Sequence, residues 1–304
     1  MESVEEVVVE RVIASAPAKV NLALRVGSVR DDGFHPLDTV FEALDLFDDV
    51  TATHADDLSM DIAGLGTDLP CDESNLVLRA ARLLQQATGT TRGAHLSVTK
   101  RIPVAGGMAG GSADAAATLV ALNTLWELGL SGEQLLEVGA ELGSDVPFSL
   151  LGSIARGTSR GEKLESIKPG AMHGWVLLTN PVGLSTPAVF RKFDDLSLEA
   201  GQPASTEELC QAVQGNDLCK IGQLLINDLE APAFALRPDL AEIVVALQTV
   251  GHGVVLSGSG PTIAVLCEIS QLESLGSELA NAFPELSVVS AVGPAAGAHI
   301  KQQN

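Results

Sequence analysis

Hydrophobic and polar residues alternate through residues 20–26, so a strand there puts Lys19, Asn21 and Ala23 on one face and Val20, Leu22 and Leu24 on the other. Residues 7–13 read as a strand before it, and residues 37–50 as one beyond the turn signal Asp31-Asp32-Gly33. The period then changes. Leu76, Val77, Ala80, Leu83, Leu84 and Ala87 recur at helical spacing, with Asp72 or Ser74 able to cap the start and Gly89 standing where a C-terminal cap belongs. Residues 94–102 are again strand-like, the Ala-rich stretch 113–128 is helical up to Gly129, and a further helix runs from Ser131, where Gln134 completes a capping box, to Gly143.

Past about residue 160 the texture changes. The apolar strand 175–179 is followed by a Thr186-Pro187 step, a Pro/Ser-rich joint at 201–206 and helices near 207–213 and 217–225. Residues 238–250 form a strongly apolar helix, and 253–267 form two short strands broken at Ser257-Gly-Ser-Gly-Pro261. Ser270 with Glu273 boxes the last helix. The pattern gives two α+β domains, 1–160 and 161–304, without internal repeats.

The chain has 304 residues, 46% of them hydrophobic, enough for a large core. Its 18 Lys and Arg against 39 Asp and Glu leave a net charge of −21, which repels nucleic acid and anionic membrane alike. No apolar run approaches the roughly 20 residues of a membrane span. The longest candidate, 240–256, is interrupted by Glu242, Gln248 and His252. A soluble, cytoplasmic protein is expected. The four cysteines include no C-x-x-C pair and no histidine has metal-ligand spacing, so neither a disulfide framework nor an all-protein metal cage is indicated. Any metal would arrive with a substrate.

The chemistry concentrates around Pro103-Val104-Ala105-Gly106-Gly107-Met108-Ala109-Gly110-Gly111-Ser112-Ala113. A strand, a glycine-rich bend and a helix opening at a serine make a phosphate cradle: small residues let the backbone approach, and the helix N-terminus adds about half a positive charge. A flexible turn packed on a small-residue helix is the plainer alternative. The lysine of a Walker A loop is absent before Ser112, and no G-x-G-x-x-G exists, so P-loop and dinucleotide-binding readings lose ground. Positive charge for phosphoryl transfer must then come from elsewhere among only seven lysines. Lys19 stands in an otherwise apolar strand, with Asn21 on its face; it is either snorkelling from a strand end or held in a site. Asp145 follows a helix terminus and precedes Pro147, which suits an N-cap or a carboxylate poised to take a proton from a hydroxyl.

Three segments together resemble the GHMP small-molecule kinases: Pro17-Ala-Lys-Val-Asn-Leu-Ala-Leu24, the 103–113 loop, and Leu256-Ser-Gly-Ser-Gly-Pro261. Gly33-Phe-His35, Asn75-Leu76, Lys100-Arg-Ile-Pro103, Leu142-Gly-Ser-Asp-Val-Pro147 and Thr186-Pro-Ala-Val-Phe190 are most similar to the branch acting on a cytidine diphosphate-linked methylerythritol. The resemblance implies a two-domain α+β fold with the active site in the cleft between domains. It also implies ATP as phosphoryl donor with Mg²⁺ carried on it, and a small-molecule acceptor hydroxyl, in a monomer or homodimer. By the same resemblance, Asp145 is the general base and Lys19 its partner. Residues 103–113 wrap the ATP phosphates, with Asn75 and Lys100 near the adenine. Asn21, His35 and Thr186 touch substrate, and Phe34 and Phe190 stack on the cytosine. Phe34 stands where the family usually has Tyr, and Ala113 where a second serine is common. Ala105 and Ala109 replace loop glycines, which requires those two positions to avoid left-handed backbone angles.

Overall fold

A computed structural model describes residues 9–196 and 201–304. The chain runs β1 (Arg11–Val26), β2 (Leu37–Ala55), β3 (Leu58–Gly64), α1 (Leu76–Thr88), β4 (Gly93–Lys100), α2 (Gly110–Leu125), α3 (Gly132–Leu142), α4 (Val146–Leu151), β5 (Ile154–Ser159) and β6 (Lys163–Ile167). It continues through β7 (His173–Thr179), α5 (Thr186–Leu196), α6 (Glu207–Gly215), α7 (Leu218–Leu224), β8 (Ile226–Asn227), α8 (Glu230–Leu236) and α9 (Pro238–Leu247). The last elements are β9 (Gly253–Leu256), β10 (Ile263–Cys267), α10 (Leu272–Ala282), β11 (Ser287–Gly293) and β12 (His299–Gln303).

Two sheets result. The first has the order β12-β1-β2-β4-β3, with β5 and β8 joined to β2 and β1 and β6 to β5; the second is β11-β7-β10-β9. The first sheet thus extends past residue 160 to Ile167 and takes back the C-terminal strand β12, which lies outside a simple division at residue 160. Glu42 ties the lobes together. Its buried carboxylate accepts from His173 Nδ1 at 2.9 and 3.0 Å and from Trp175 Nε1 at 3.3 Å, linking β2 to β7. Burial raises the Glu42 pKa above the ordinary carboxylate range, with His173 and Trp175 opposing it.

Several elements depart from the sequence reading for identifiable reasons. The separate strands expected at 7–13 and 20–26 are one strand, with residues 7 and 8 outside the described residues. Pro17 sits where the β1–β2 register shifts, a bulge position that tolerates its missing N–H. The α1 cap is Asn75, whose Oδ1 accepts from the Val77 N–H at 3.0 Å, while Asp72 instead turns the chain through Ser74. The last helix is preceded by a turn boxed by Glu268 and Gln271, not by Ser270 and Glu273. The Ser131–Gln134 box and the left-handed Gly89 cap are as expected.

α2 carries the site. It is buried on nearly every side, from Ala113 through Ala117 to Leu125, against β1 and β2. A helix apolar all round must be central, which is why small alanines dominate it. It begins at Gly110, three residues earlier than the Ala-rich pattern suggested.

Candidate active site

One cleft of about 980 Å³ is lined by residues from both lobes, and it takes in Lys19, Asn21, the 103–112 loop, Asp145, Phe34, His35, Thr186 and Phe190. Asn75 and Lys100 line it too, whereas Ala113 is buried behind the first turn of α2.

The snorkelling alternative for Lys19 does not hold, because only 4% of the residue is exposed. Its ammonium donates to Asn21 Oδ1 at 2.6 Å and to the Gly107 carbonyl at 2.8 Å. Asn21 in turn donates to Thr39 Oγ1 at 2.9 Å, and Thr39 to the Ala23 carbonyl at 2.6 Å, so the lysine is aimed by a chain of hydrogen bonds. Burial lowers the Lys19 pKa, and the Asp145 carboxylate partly restores it. The two groups face one another electrostatically without forming an ion pair.

Asp145 occupies the residue before α4 with φ −88° and ψ −13°, and its side chain makes no capping bond. Among the described residues its carboxylate has no hydrogen-bond or ion-pair partner at all. A half-buried, unpaired carboxylate on a cleft wall is available for chemistry, and the capping alternative leaves that unexplained.

The loop requires two corrections. Ala105 and Ala109 do adopt left-handed angles, with φ 53° and 59°, contrary to the expectation that they avoid them. The positions that glycine vacated keep the backbone that glycine favours, at about 1–2 kcal/mol each. Nor is the need for Gly107 set by open space for phosphate. At φ 75°, a Cβ there would overlap the Ser257 carbonyl and come within 3.0 Å of the Gly260 carbonyl. Ser257 Oγ donates to Gly107 O at 3.1 Å, and the Thr262 N–H reaches Gly106 O at 3.3 Å. The C-terminal Ser257–Pro261 segment therefore clasps the loop, backbone on backbone.

Ala109, the cap residue of α2, offers no side-chain acceptor, so the N–H groups of Gly110, Gly111 and Ser112 open onto the cleft without a capping side chain. An uncapped helix start with its dipole aimed into a cavity fits an anionic ligand such as a triphosphate.

Lys100 behaves differently from its expected place near a base. Its ammonium is buried between Asp48 at 2.7 Å and Asp114 at 2.5 Å, and is committed beneath the loop rather than offered to a ligand. Asp48 also accepts from the Arg101 and Ile102 N–H groups, which fixes the exit from β4. Burial pushes the Asp114 carboxyl up to about 7, against the pull of Lys100 and helped by Asp48. Asn75 likewise spends its side chain on structure, donating to Pro70 O at 2.8 Å.

At the far end of the cleft, Phe34 is half exposed with the Arg160 guanidinium 5.0 Å over its ring. His35 lies against Phe190, with centroids 5.1 Å apart and planes 30° apart. Phe34 and Phe190 thus both line the cavity, each with another side chain on its ring. Thr186 Oγ1 shares a 2.7 Å hydrogen bond with Ser259 Oγ. The sequence reading missed Asp48, Asp114, Arg160 and Asp194; lone charged residues carry no periodic signal, whether on a strand, a helix or a loop. It also passed over α5 as a bare Thr-Pro step, although Val189 and Phe193 mark its apolar face.

The chain belongs to the GHMP kinases. The model of their N-terminal domain matches residues 75–153 and that of their C-terminal domain matches residues 206–285. Among curated relatives, the 4-diphosphocytidyl-2-C-methyl-D-erythritol kinase of Kineococcus radiotolerans is 50% identical over 84% of this chain and 81% of its own. The enzyme of the same name from Nocardioides sp. is 46% identical over 94% and 98%. A crystal structure of 4-(cytidine 5'-diphospho)-2C-methyl-D-erythritol kinase superposes with a TM-score of 0.74 at 30% identity, covering 92% of this chain and 99% of that one. No helix among the described residues is long and apolar enough to cross a membrane.

Proposed function

We propose that the chain phosphorylates the 2-hydroxyl of 4-(cytidine 5'-diphospho)-2-C-methyl-D-erythritol with ATP, giving ADP and the 2-phosphate, in the cytoplasmic non-mevalonate route to isopentenyl diphosphate. The observation that carries the reading is the unpaired Asp145 carboxylate facing the buried Lys19 ammonium across a cleft whose wall is an uncapped helix start. The names of the relatives support the choice of substrate.

In this reading, Asp145 takes the proton of the acceptor hydroxyl as its oxygen attacks the γ-phosphorus, and the bond from γ-phosphorus to the bridging oxygen of ADP breaks. Lys19, held by Asn21 and the Gly107 carbonyl, orients the hydroxyl and balances the charge that develops on the transferring group. The N–H groups of Gly110, Gly111 and Ser112 cradle the phosphates. Asn21 and Thr186 touch the erythritol unit, and Phe34, His35 and Phe190 form the cytosine end. A Mg²⁺ ion would enter with the triphosphate. Ser112 is an oxygen donor available to hold it on the cleft wall, where the ion would neutralise phosphate charge.

The test is ADP release measured with the cytidine substrate beside mevalonate and homoserine. Turnover confined to the cytidine substrate is expected. Equal or better turnover of either alternative would overturn the reading.

A further inference from the structure

Between α7 and α8 the chain passes through Asn227-Asp228-Leu229-Glu230, and each polar side chain of this stretch holds the backbone of another segment. Asp228 accepts from the Val26 N–H at 2.9 Å and from Arg25 at 2.8 Å, and its own N–H donates to the Leu24 carbonyl at 2.9 Å. The stretch is thereby bound to the end of β1, the strand that carries Lys19. Glu230 Oε1 accepts from the Leu256 N–H at 2.9 Å. Asn227, buried, donates through Nδ2 to the Leu256 and Gly258 carbonyls at 2.7 Å each, and accepts through Oδ1 from the Leu229 N–H at 2.8 Å.

The Asn227 amide can stand only one way round. Carbonyl oxygens only accept and an N–H only donates, so the amide nitrogen faces residues 256–258 and its oxygen faces Leu229. An aspartate, of the same shape, would set acceptor against acceptor.

The segment that Asn227 holds is the one that faces the catalytic lysine. Ser257, fully buried between the two gripped carbonyls, donates through Oγ to Gly107 O at 3.1 Å, the same oxygen that accepts from the Lys19 ammonium at 2.8 Å. Gly258 passes so near that a Cβ there would lie 3.0 Å from Lys19 Nζ. Asn21 and Gly107 take two of the ammonium's three N–H bonds, which leaves the third for the cleft. Its aim is set by where the Gly107 carbonyl stands, and that by Ser257.

We propose that Asn227 is a positioning residue for phosphoryl transfer: it fixes residues 256–258, through which Ser257 sets the Gly107 carbonyl and so aims the Lys19 ammonium. This role rests on the kinase reading above, in which Lys19 acts on the transferring group; Asn227 itself acts only through that lysine.

The test measures kcat, KM for the cytidine substrate and Tm in the wild type, Asn227→Ala, Asn227→Asp, Ser257→Ala and the Asn227→Ala/Ser257→Ala double variant. A catalytic group misplaced by about 1 Å costs up to about 10²-fold, so Asn227→Ala and Asn227→Asp should each lower kcat roughly 10- to 100-fold and leave the cytidine KM within about 2-fold. Ser257→Ala, which loses one hydrogen bond, should lower kcat about 2- to 10-fold. Because both residues act through the Gly107 carbonyl, the double variant should be slower than Asn227→Ala by no more than about 2-fold. Unaltered kcat in a folded Asn227→Ala enzyme, or single effects that multiply in the double variant, would overturn the role. A lowered Tm with kcat per folded molecule unchanged would do the same, since it marks a bond that serves the fold alone. Should neither Asn227 variant fold, Ser257→Ala decides, and undiminished kcat there overturns the role. Failure of the wild type to release ADP with the cytidine substrate would instead remove the reading on which it rests.

Discussion

Gly107→Ala is the substitution at which loop, lobe contact and catalytic lysine meet. The backbone angle of φ 75° is left-handed, which for an alanine costs about 1–2 kcal/mol. The new Cβ would overlap the Ser257 carbonyl, and because both partners are backbone, no rotamer relieves it. Overpacking of this kind costs about 1–3 kcal/mol. The expected destabilisation is therefore about 2–5 kcal/mol. For 304 residues the unfolding entropy is roughly 0.6 kcal/mol per kelvin, so Tm should fall by about 3–8 °C. Relief of the clash would push the loop off Ser257 and move the Gly107 carbonyl that Lys19 holds, so KM for ATP should rise with kcat falling. Thermal melting and steady-state kinetics read the two effects. Gly132→Ala is the control, since a Cβ there meets nothing within 4 Å in a helix first turn. Equal Tm and ATP KM for Gly107→Ala and wild type would refute the clasp between Ser257–Pro261 and the loop.

Ala105→Gly and Ala109→Gly should each raise stability by up to about 1 kcal/mol in urea unfolding, since each relieves a left-handed angle. Asp114, titrating near 7 in the fold and at 3.8 when exposed, gives the native state an extra proton between those values. Stability should accordingly fall as pH rises from about 4 to 7, by up to about 1.4 kcal/mol per unit, and level off above; Asp114→Asn should flatten that slope in pH-dependent unfolding. Phe190→Ala removes both a stacking face and the support of His35, and should raise KM for the cytidine substrate roughly 5- to 150-fold with ATP KM unchanged, as steady-state kinetics will show.

What the sequence disclosed depended on whether local pattern or tertiary company decided the outcome. The alternation around Lys19 and Asn21 placed both on one face because a strand has a period of two, and the 2.6 Å bond between them follows. The capping box at Ser131 and the glycine cap at Gly89 were legible because those residues act on their own neighbours. The join of residues 11–26 into one strand was not, since Pro17 is tolerated only by a bulge against β2. Asn75 and Lys100 line the cleft, but their structural bonds were not legible: Asn75 caps α1, and Lys100 pairs with Asp48 and Asp114 from 52 residues before and 14 after. The left-handed Ala105 and Ala109 ran against residue preference because the surrounding loop, clasped by Ser257, determines their angles.

The most direct measurement is the product formed by wild type and by Asp145→Asn from ATP and the cytidine substrate, followed by ³¹P NMR at saturating concentrations of both. The wild type should yield a new phosphate ester on the tertiary 2-hydroxyl with stoichiometric ADP. Asp145→Asn, which keeps the shape of the half-buried side chain and removes its capacity to take a proton, should bind both ligands within a few fold of wild type and lose at least about 10²–10⁴-fold in kcat. Undiminished formation of the same ester by a folded Asp145→Asn protein would contradict the assignment of the unpaired carboxylate as the base.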